Sequence, residues 1–122
     1  DIVNFTQITE NSDPNVLMLQ LSDYLDALTK CIHSHNGNID KYIGDGIMAF
    51  WGAPHDDANQ VENACRALLS CQHEVHRLND VWRQQGKPVF ITRFGLNTGP
   101  AIVGNLGSSD RLNYTAIGDT VN

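Results

Sequence analysis

The sequence predicts an α+β fold, a largely antiparallel sheet with its helices on one face, and three observations predict it. Two amphipathic helical periods, over residues 13–36 and 57–86, alternate with β-rich runs. The turn Gly44-Asp45-Gly46 joins two of those runs as a hairpin. From Asp1 onward the order is strand, helix, strand, strand, helix, strand. That is the β-α-β-β-α-β arrangement of a ferredoxin-like core, here with further strands appended.

Each element has a local reason. Asp1–Val3 reads as the last residues of a strand, followed by a turn over Val3–Thr6 that enters a helical segment. Asp13 and Pro14 suit the N-cap and first turn of the first long helix. Leu17, Leu21, Tyr24, Leu25, Leu28 and Ile32 form its apolar stripe, and Asn36-Gly37 ends it. Ile39–Ile43 and Ile47–Trp51 are the hairpin strands. Asp57-Ala58-Asn59-Gln60 resembles a capping box before a second helix, with Val61, Ala64, Cys65, Leu68, Val75, Leu78 and Trp82 as its stripe. Gly86 and Pro88 stop that helix. Val89–Asn97 is expected to be a strand, Thr98-Gly99-Pro100 a turn, and Ala101–Val103 a short strand. Gly104–Asp110 reads as loop and Tyr114–Ile117 as a further strand, with Gly118-Asp119 leading toward a helix.

Composition narrows the function classes. The 122 residues suit one domain, and 41% hydrophobic with 18% charged residues is ordinary for a globular protein. A formal net charge of −6 argues against a broad nucleic-acid surface. An acidic protein that binds a polyphosphate needs divalent cations between the two sets of negative charge. No apolar run approaches a membrane span, so no membrane contact is expected of this segment. Cys31, Cys65 and Cys71 are odd in number and lie in helical patterns, which suits reduced core residues in a cytoplasmic domain. Since the first residue already reads as a strand end, the chain is expected to be cut from something longer, in which membrane or sensor segments could lie.

The chemistry gathers at two carboxylates. In a ferredoxin-like core the end of the first strand lies beside the turn between the second and third strands, which brings Asp1 next to Asp45. Two adjacent carboxylates repel unless cations neutralise them. Two hard cations about 3.5–4 Å apart would satisfy both and could clamp the attacking and leaving oxygens of a phosphoryl displacement. Gly44 and Gly46 would let backbone approach a phosphate, and free amides at Val3–Thr6 could cradle its oxygens. The same residues, taken alone, also suit a plain Asp-Gly turn and an ordinary helix cap. His33, His35, His73 and His76 read as solvated helix residues, Asp56 and Asp57 as helix-start residues, and Trp51 and Trp82 as packing.

The flanking residues are more specific. Asp1-Ile2-Val3-Asn4-Phe5-Thr6, the run Ile39–Pro54 around Lys41-Tyr42-Ile43-Gly44-Asp45-Gly46, Arg93–Gly99, Val103–Ser108 and Tyr114–Asn122 resemble, in order, the catalytic domain of class III nucleotidyl cyclases. Within that family the chain looks most like bacterial-type adenylyl cyclases, and the match makes residues 1–122 a partial catalytic domain truncated at both ends.

The resemblance implies that Asp1 and Asp45, with the carbonyl of Ile2, bind two Mg²⁺ (or Mn²⁺). It implies that Val3, Asn4, Phe5 and Thr6 hold the triphosphate, and that Arg93 contacts its terminal phosphates. Lys41 and Thr115 match the purine-reading pair and favour ATP, with Ile43, Gly44, Ala116 and Ile117 beside them in the substrate site. Asn122 matches the residue that orients the ribose. Asn4 departs from the glycine usual at its position, although Asn tolerates left-handed backbone. The implied product is 3′,5′-cyclic AMP, made at the interface of a head-to-tail homodimer, with Asp1, Asp45 and Arg93 from one subunit and Lys41, Thr115 and Asn122 from the other. Guanylyl specificity is the alternative within the family, and a degenerate dimerisation or nucleotide-binding module the alternative outside catalysis. The family's transition-state arginine and its phosphate lysine fall past Asn122, so the 122-residue piece alone is expected to have little or no activity.

Overall fold

The computed structural model describes residues 1–122 as an α+β domain. In chain order it contains α1 (Phe5–Glu10), α2 (Pro14–Ser34), β1 (Asn38–Ile43), β2 (Gly46–Phe50), α3 (Gln60–Gln84), β3 (Ile102–Ser108) and β4 (Arg111–Ile117). Strands β1 and β2 form one antiparallel hairpin, and β3 and β4 form another. No helix is long and apolar enough to cross a membrane.

The expected β-α-β-β-α-β order is present, with its outer strands reduced. Asp1–Val3 and the segment around Thr92 make a single antiparallel bridge, Ile2 opposite Thr92. Val3 N donates to Ile91 O at 2.8 Å and Arg93 N to Asp1 O at 2.9 Å. Of the strand expected over Val89–Asn97, the structure shows this short pairing around Thr92. Side chains supply the bonds that a ladder would otherwise make. Buried Asn79 donates to Phe90 O at 3.0 Å and accepts from Phe90 N at 2.8 Å. Gln20 donates to Pro88 O at 2.6 Å, and the Tyr24 and Thr92 hydroxyls lie 3.0 Å apart. Buried backbone groups left unpaired cost about 1–3 kcal/mol each, so these polar side chains belong in the core.

The core lies between α2, α3 and this segment. Leu17, Tyr24, Leu28 and Ile32 of α2 meet Cys71, Val75, Leu78 and Trp82 of α3, together with Ile2 and Phe90. Phe90 is its centre, edge-on to Tyr24 at 5.5 Å and 5.0 Å from Trp82. Phe5 meets Phe90 at 6.0 Å, which anchors α1 to the core. The helical stripes are close to those expected. On α3, however, Ala67, Cys71 and Asn79 are buried while Val61 and Cys65 are exposed. The capping box does not form. Asp57 accepts from Asn59 N at 2.9 Å and from Asn63 Nδ2 at 2.8 Å, and α3 begins at Gln60 without a side-chain cap.

The second hairpin corrects the loop expected over Gly104–Asp110. Seven pairs run unbroken from Ile102↔Ile117 to Ser108↔Arg111. The small, turn-forming residues that suggested a loop serve a narrow ladder. Gly107 sits at φ 147, where an added Cβ would lie 2.1 Å from Arg111 O. After β4, residues 119–121 form a turn closed by Val121 N donating to Gly118 O at 3.1 Å.

Burial gives the core a pH signature. Desolvation pushes the Cys71 thiol from 9.0 to about 12, aided by the neighbouring Cys31. Desolvation likewise raises the Tyr24 hydroxyl from 10.0 to about 12, against the bond to Thr92. Both groups keep their protons in the fold where the unfolded chain has lost them. Stability is therefore full below the unfolded values and declines as pH rises from 9.0 toward 12. Urea midpoints taken from about pH 8 to about pH 10.5 are expected to fall, and Cys71→Ala to flatten that fall. Exposed Cys65 is expected to alkylate in the native state, and Cys71 only on unfolding.

Candidate functional site

The site follows from one register. With Ile2 opposite Thr92, Asp1 and Arg93 become a directly hydrogen-bonded cross-strand pair, and alternation puts Ile2 in the core and Asp1 outside. The Asp1 nitrogen donates to Arg93 O at 3.0 Å. Their side chains share a face, and the Arg93 guanidinium grips the Asp1 carboxylate through Nε at 2.8 Å and a second nitrogen at 3.0 Å. Both ends are solvent-accessible, so the pair is worth at most about 1 kcal/mol.

Asp45 reaches the same place from the hairpin tip. The turn needs Gly44 at φ 58, a left-handed value. Asp45 then folds back so that its Oδ2 accepts from Ile2 N at 2.7 Å. A Cβ at Gly46 would lie 3.3 Å from Ile43 O, a tight fit within the turn, and in ordinary contact with Asp1 Cβ at 3.6 Å, which places Asp1 against the hairpin tip. Asp1 and Asp45 are thus neighbours in one cleft, as the topology argument required.

The cleft has a volume of about 500 Å³ and is lined by Asp1, Ile2, Asn4, Phe5, Thr6, Gln7, Glu10, Asp45 and Arg93. Asn4 takes φ 56 and ψ 34, the left-handed conformation implied by a position where glycine is usual. Val3 is half-buried and does not line the cleft. Sequence reasoning missed Gln7 and Glu10, which a one-turn helical offset from Val3 and Thr6 would have pointed to.

Lys41, Ile43, Gly44, Thr115, Ala116, Ile117 and Asn122 do not line this cleft. Lys41 is exposed on β1, and Thr115 and Ala116 are buried on β4. The two strands touch, and Phe50 stacks near Tyr114 at 5.9 Å where the hairpins meet. Ile43, Gly44, Ile117 and Asn122 are exposed. The segment before Asn122 is tied back by Asn97 donating to Thr120 O at 3.0 Å and Thr120 to Pro100 O at 2.7 Å. The cleft and the β1–β4 face are therefore two separate groups within one chain.

Asp40 is the residue that sequence reading overlooked. Its side chain is 1% exposed, and it accepts a hydrogen bond from the Thr115 hydroxyl. An aspartate inside a strand was the available signal, since strands are depleted in it.

Comparison with known proteins shows the family. Residues 1–122 match the Adenylate and Guanylate cyclase catalytic domain, and the chain belongs to that family. Adenylate cyclase 1 of Rhizobium meliloti is 42% identical over 122 residues, covering the whole chain and 18% of that protein. An adenylate cyclase of Anabaena cylindrica is 35% identical over 126 residues, again across the whole chain and 24% of its length. The chain thus spans about a fifth of the length of these relatives. Among solved structures, the guanylyl cyclase Cya2 (30% identity) and the adenylyl cyclase CyaB from P. aeruginosa (34% identity) each superpose with a TM-score of 0.93. Both superpositions cover 99% of this chain, and 61% and 63% of those chains.

The left-handed backbone at residue 4 yields a prediction. Asn4→Gly is expected to be nearly neutral, whereas Asn4→Val is expected to cost about 1–2 kcal/mol, read as a shift in urea midpoint.

Proposed function

We propose that this chain is the catalytic domain of an adenylyl cyclase that converts ATP to 3′,5′-cyclic AMP and pyrophosphate in a head-to-tail homodimer, in the cytoplasm. The observation that carries the proposal is the meeting of Asp1 and Asp45 in one cleft, beside Arg93 and the turn at Val3–Thr6. The names of the bacterial relatives, adenylate cyclases, support the reading.

The donor set suits hard cations. Asp1, Asp45 and the Ile2 carbonyl offer oxygen only, and no group of three His, Cys, Asp or Glu side chains gathers to close a coordination sphere. That leaves positions for phosphate oxygens, as Mg²⁺ or Mn²⁺ favours. Two such ions, when bound, lower the pKa of the ribose 3′-hydroxyl and neutralise charge on the departing pyrophosphate.

The chain's own groups do the rest. Amides at Asn4, Phe5 and Thr6 hold the triphosphate, whereas the Val3 amide is committed to Ile91 O and drops out of the set, and Arg93 exchanges its Asp1 partner for the terminal phosphates. From the other subunit, Lys41 donates to an adenine ring nitrogen and Thr115 accepts from the amino group, with Ile43, Gly44, Ala116 and Ile117 around the base. Asn122 orients the ribose. O3′ then bonds to the α-phosphorus as the bond from that phosphorus to the α–β bridging oxygen breaks and the hydroxyl proton passes to solvent water, with proximity supplying much of the rate. This division between subunits fits the separation of the cleft from the β1–β4 face, and the exposed Ile102, Leu106, Leu112 and Ile117 of the second hairpin supply apolar surface for a partner copy.

The full-length protein, assayed with ATP and GTP under Mg²⁺ and Mn²⁺, is expected to make cyclic AMP and to prefer ATP. A GTP preference would favour guanylyl activity, which the fold of Cya2 accommodates equally well. Asp45→Ala is expected to lower turnover at least ~100-fold with an unchanged circular dichroism spectrum, and retained turnover would remove Asp45 from catalysis. Asp45→Ala and Asn122→Ala are each expected to be inactive alone. Co-expressed, they should recover up to about a quarter of the activity, because half the dimers carry one intact composite site. No recovery would argue against sites shared between subunits.

A further inference from the structure

We propose that Asp40 is a specificity-determining residue, because it takes the hydroxyl proton of Thr115 and so fixes that oxygen as an acceptor toward the base. The proposal rests on the reading of Lys41 and Thr115 as the purine-reading pair.

A β-bulge creates the arrangement. Along β1 and β2, Ile39 pairs with Ala49 but Lys41 pairs with Met48, which leaves Asp40 as the extra residue. In a regular strand, consecutive side chains would point to opposite faces. Here the Lys41 Nζ lies 3.7 Å from Asp40 Oδ1, with the Lys41 side chain 46% exposed and that of Asp40 1% exposed. Asp40 Oδ2 accepts from Thr115 Oγ1 across the β1–β4 contact. Asp40 Oδ1 is buried and has no hydrogen-bond partner. A buried carboxylate with an unsatisfied oxygen is costly, and packing alone does not require one. It is accounted for if its work is to orient its two neighbours.

The chemistry of the two purines makes that orientation selective. Adenine offers an amino donor where guanine offers the O6 acceptor. A lysine ammonium, which only donates, is satisfied by a ring nitrogen of adenine or by O6 of guanine. A freely turning hydroxyl also suits either base, because it donates or accepts as required. Once its single proton is committed to Asp40, Thr115 can only accept. It then meets the adenine amino group with a hydrogen bond and guanine O6 with two opposed lone pairs. Lys41 and Thr115 therefore discriminate only through Asp40. The equal superposition on an adenylyl and a guanylyl cyclase is consistent with selection by polarity, since the backbone does not separate the two activities.

The test compares kcat/KM for ATP and GTP in the full-length protein carrying Asp40→Asn, Thr115→Val, both together, Thr115→Ser or Lys41→Ala. Asn is nearly isosteric with Asp and can present either its oxygen or its amide to Thr115, which releases the lock. Asp40→Asn and Thr115→Val are each expected to lower the ATP:GTP ratio by roughly tenfold, and the double variant by no more than either alone. Thr115→Ser keeps the hydroxyl and is expected to keep the ratio within about twofold. Equal loss of both activities in Asp40→Asn, with the ratio intact, would overturn the proposal by showing a merely structural role. Should Asp40→Asn fail to fold, as judged by its thermal melt, the Thr115→Val and Thr115→Ser pair decides: an unchanged ratio in Thr115→Val overturns it. If Lys41→Ala and Thr115→Val shift the ratio while Asp40→Asn does not, Asp40 alone is dismissed. If none of the three shifts it, the purine-reading assignment falls, and the proposal with it.

Discussion

The 2.7 Å hydrogen bond from Ile2 N to Asp45 Oδ2 is the constraint on which the cleft depends. It joins a strand end to a hairpin tip more than 40 positions away. Ile2 gives that bond a fixed base, because its side chain is 2% exposed inside the core while its backbone bridges to Thr92. Asp1 and Asp45 are thereby placed relative to each other by buried apolar packing and not by their own interaction, which would be repulsive.

The stiffness of that framework comes from polar groups in an apolar core. Phe90 packs against Tyr24, Trp82 and Phe5, and Asn79 satisfies both of its backbone groups. Gln20 and Tyr24 secure the residues on either side. The segment 88–93 thus keeps an extended course without a full ladder. Arg93 inherits its position from this chain of contacts, since its backbone pairs with Asp1 three residues beyond Phe90.

Much of this was legible from residue patterns. The helices α2 and α3, the Gly44-Asp45 hairpin and the adjacency of Asp1 and Asp45 follow from hydrophobic period, turn chemistry and strand order. What escaped was governed by tertiary pairing. Val89–Asn97 has strand-like composition, yet its regular pairing here is the one bridge at Thr92, and side chains of α2 and α3 bond the residues before it. Gly104 and Gly107 suggest a loop, yet a facing strand holds them in a regular ladder. The buried Gln20 and Asn79 look like surface residues until the backbone groups that they satisfy are known. Roles assigned to Lys41, Thr115 and Asn122 came from resemblance, because nothing in their local sequence distinguishes a base contact from an ordinary strand or loop residue.

The β-bulge at Asp40 shows why the last class is hard to read. A one-residue insertion in β1 changes which side chains share a face, and the hydrophobic pattern on either side gives no sign of it. It converts an aspartate that sequence alone would assign to solvent into a buried acceptor between Lys41 and Thr115. The direction in which a threonine hydroxyl points is invisible in the sequence and barely alters the backbone. Yet that direction decides whether the group accepts or donates, and adenine and guanine differ on that point. Two domains of one fold can therefore select different nucleotides without any difference in architecture, and the search for the selecting residue has to extend to whatever holds the hydroxyl's proton.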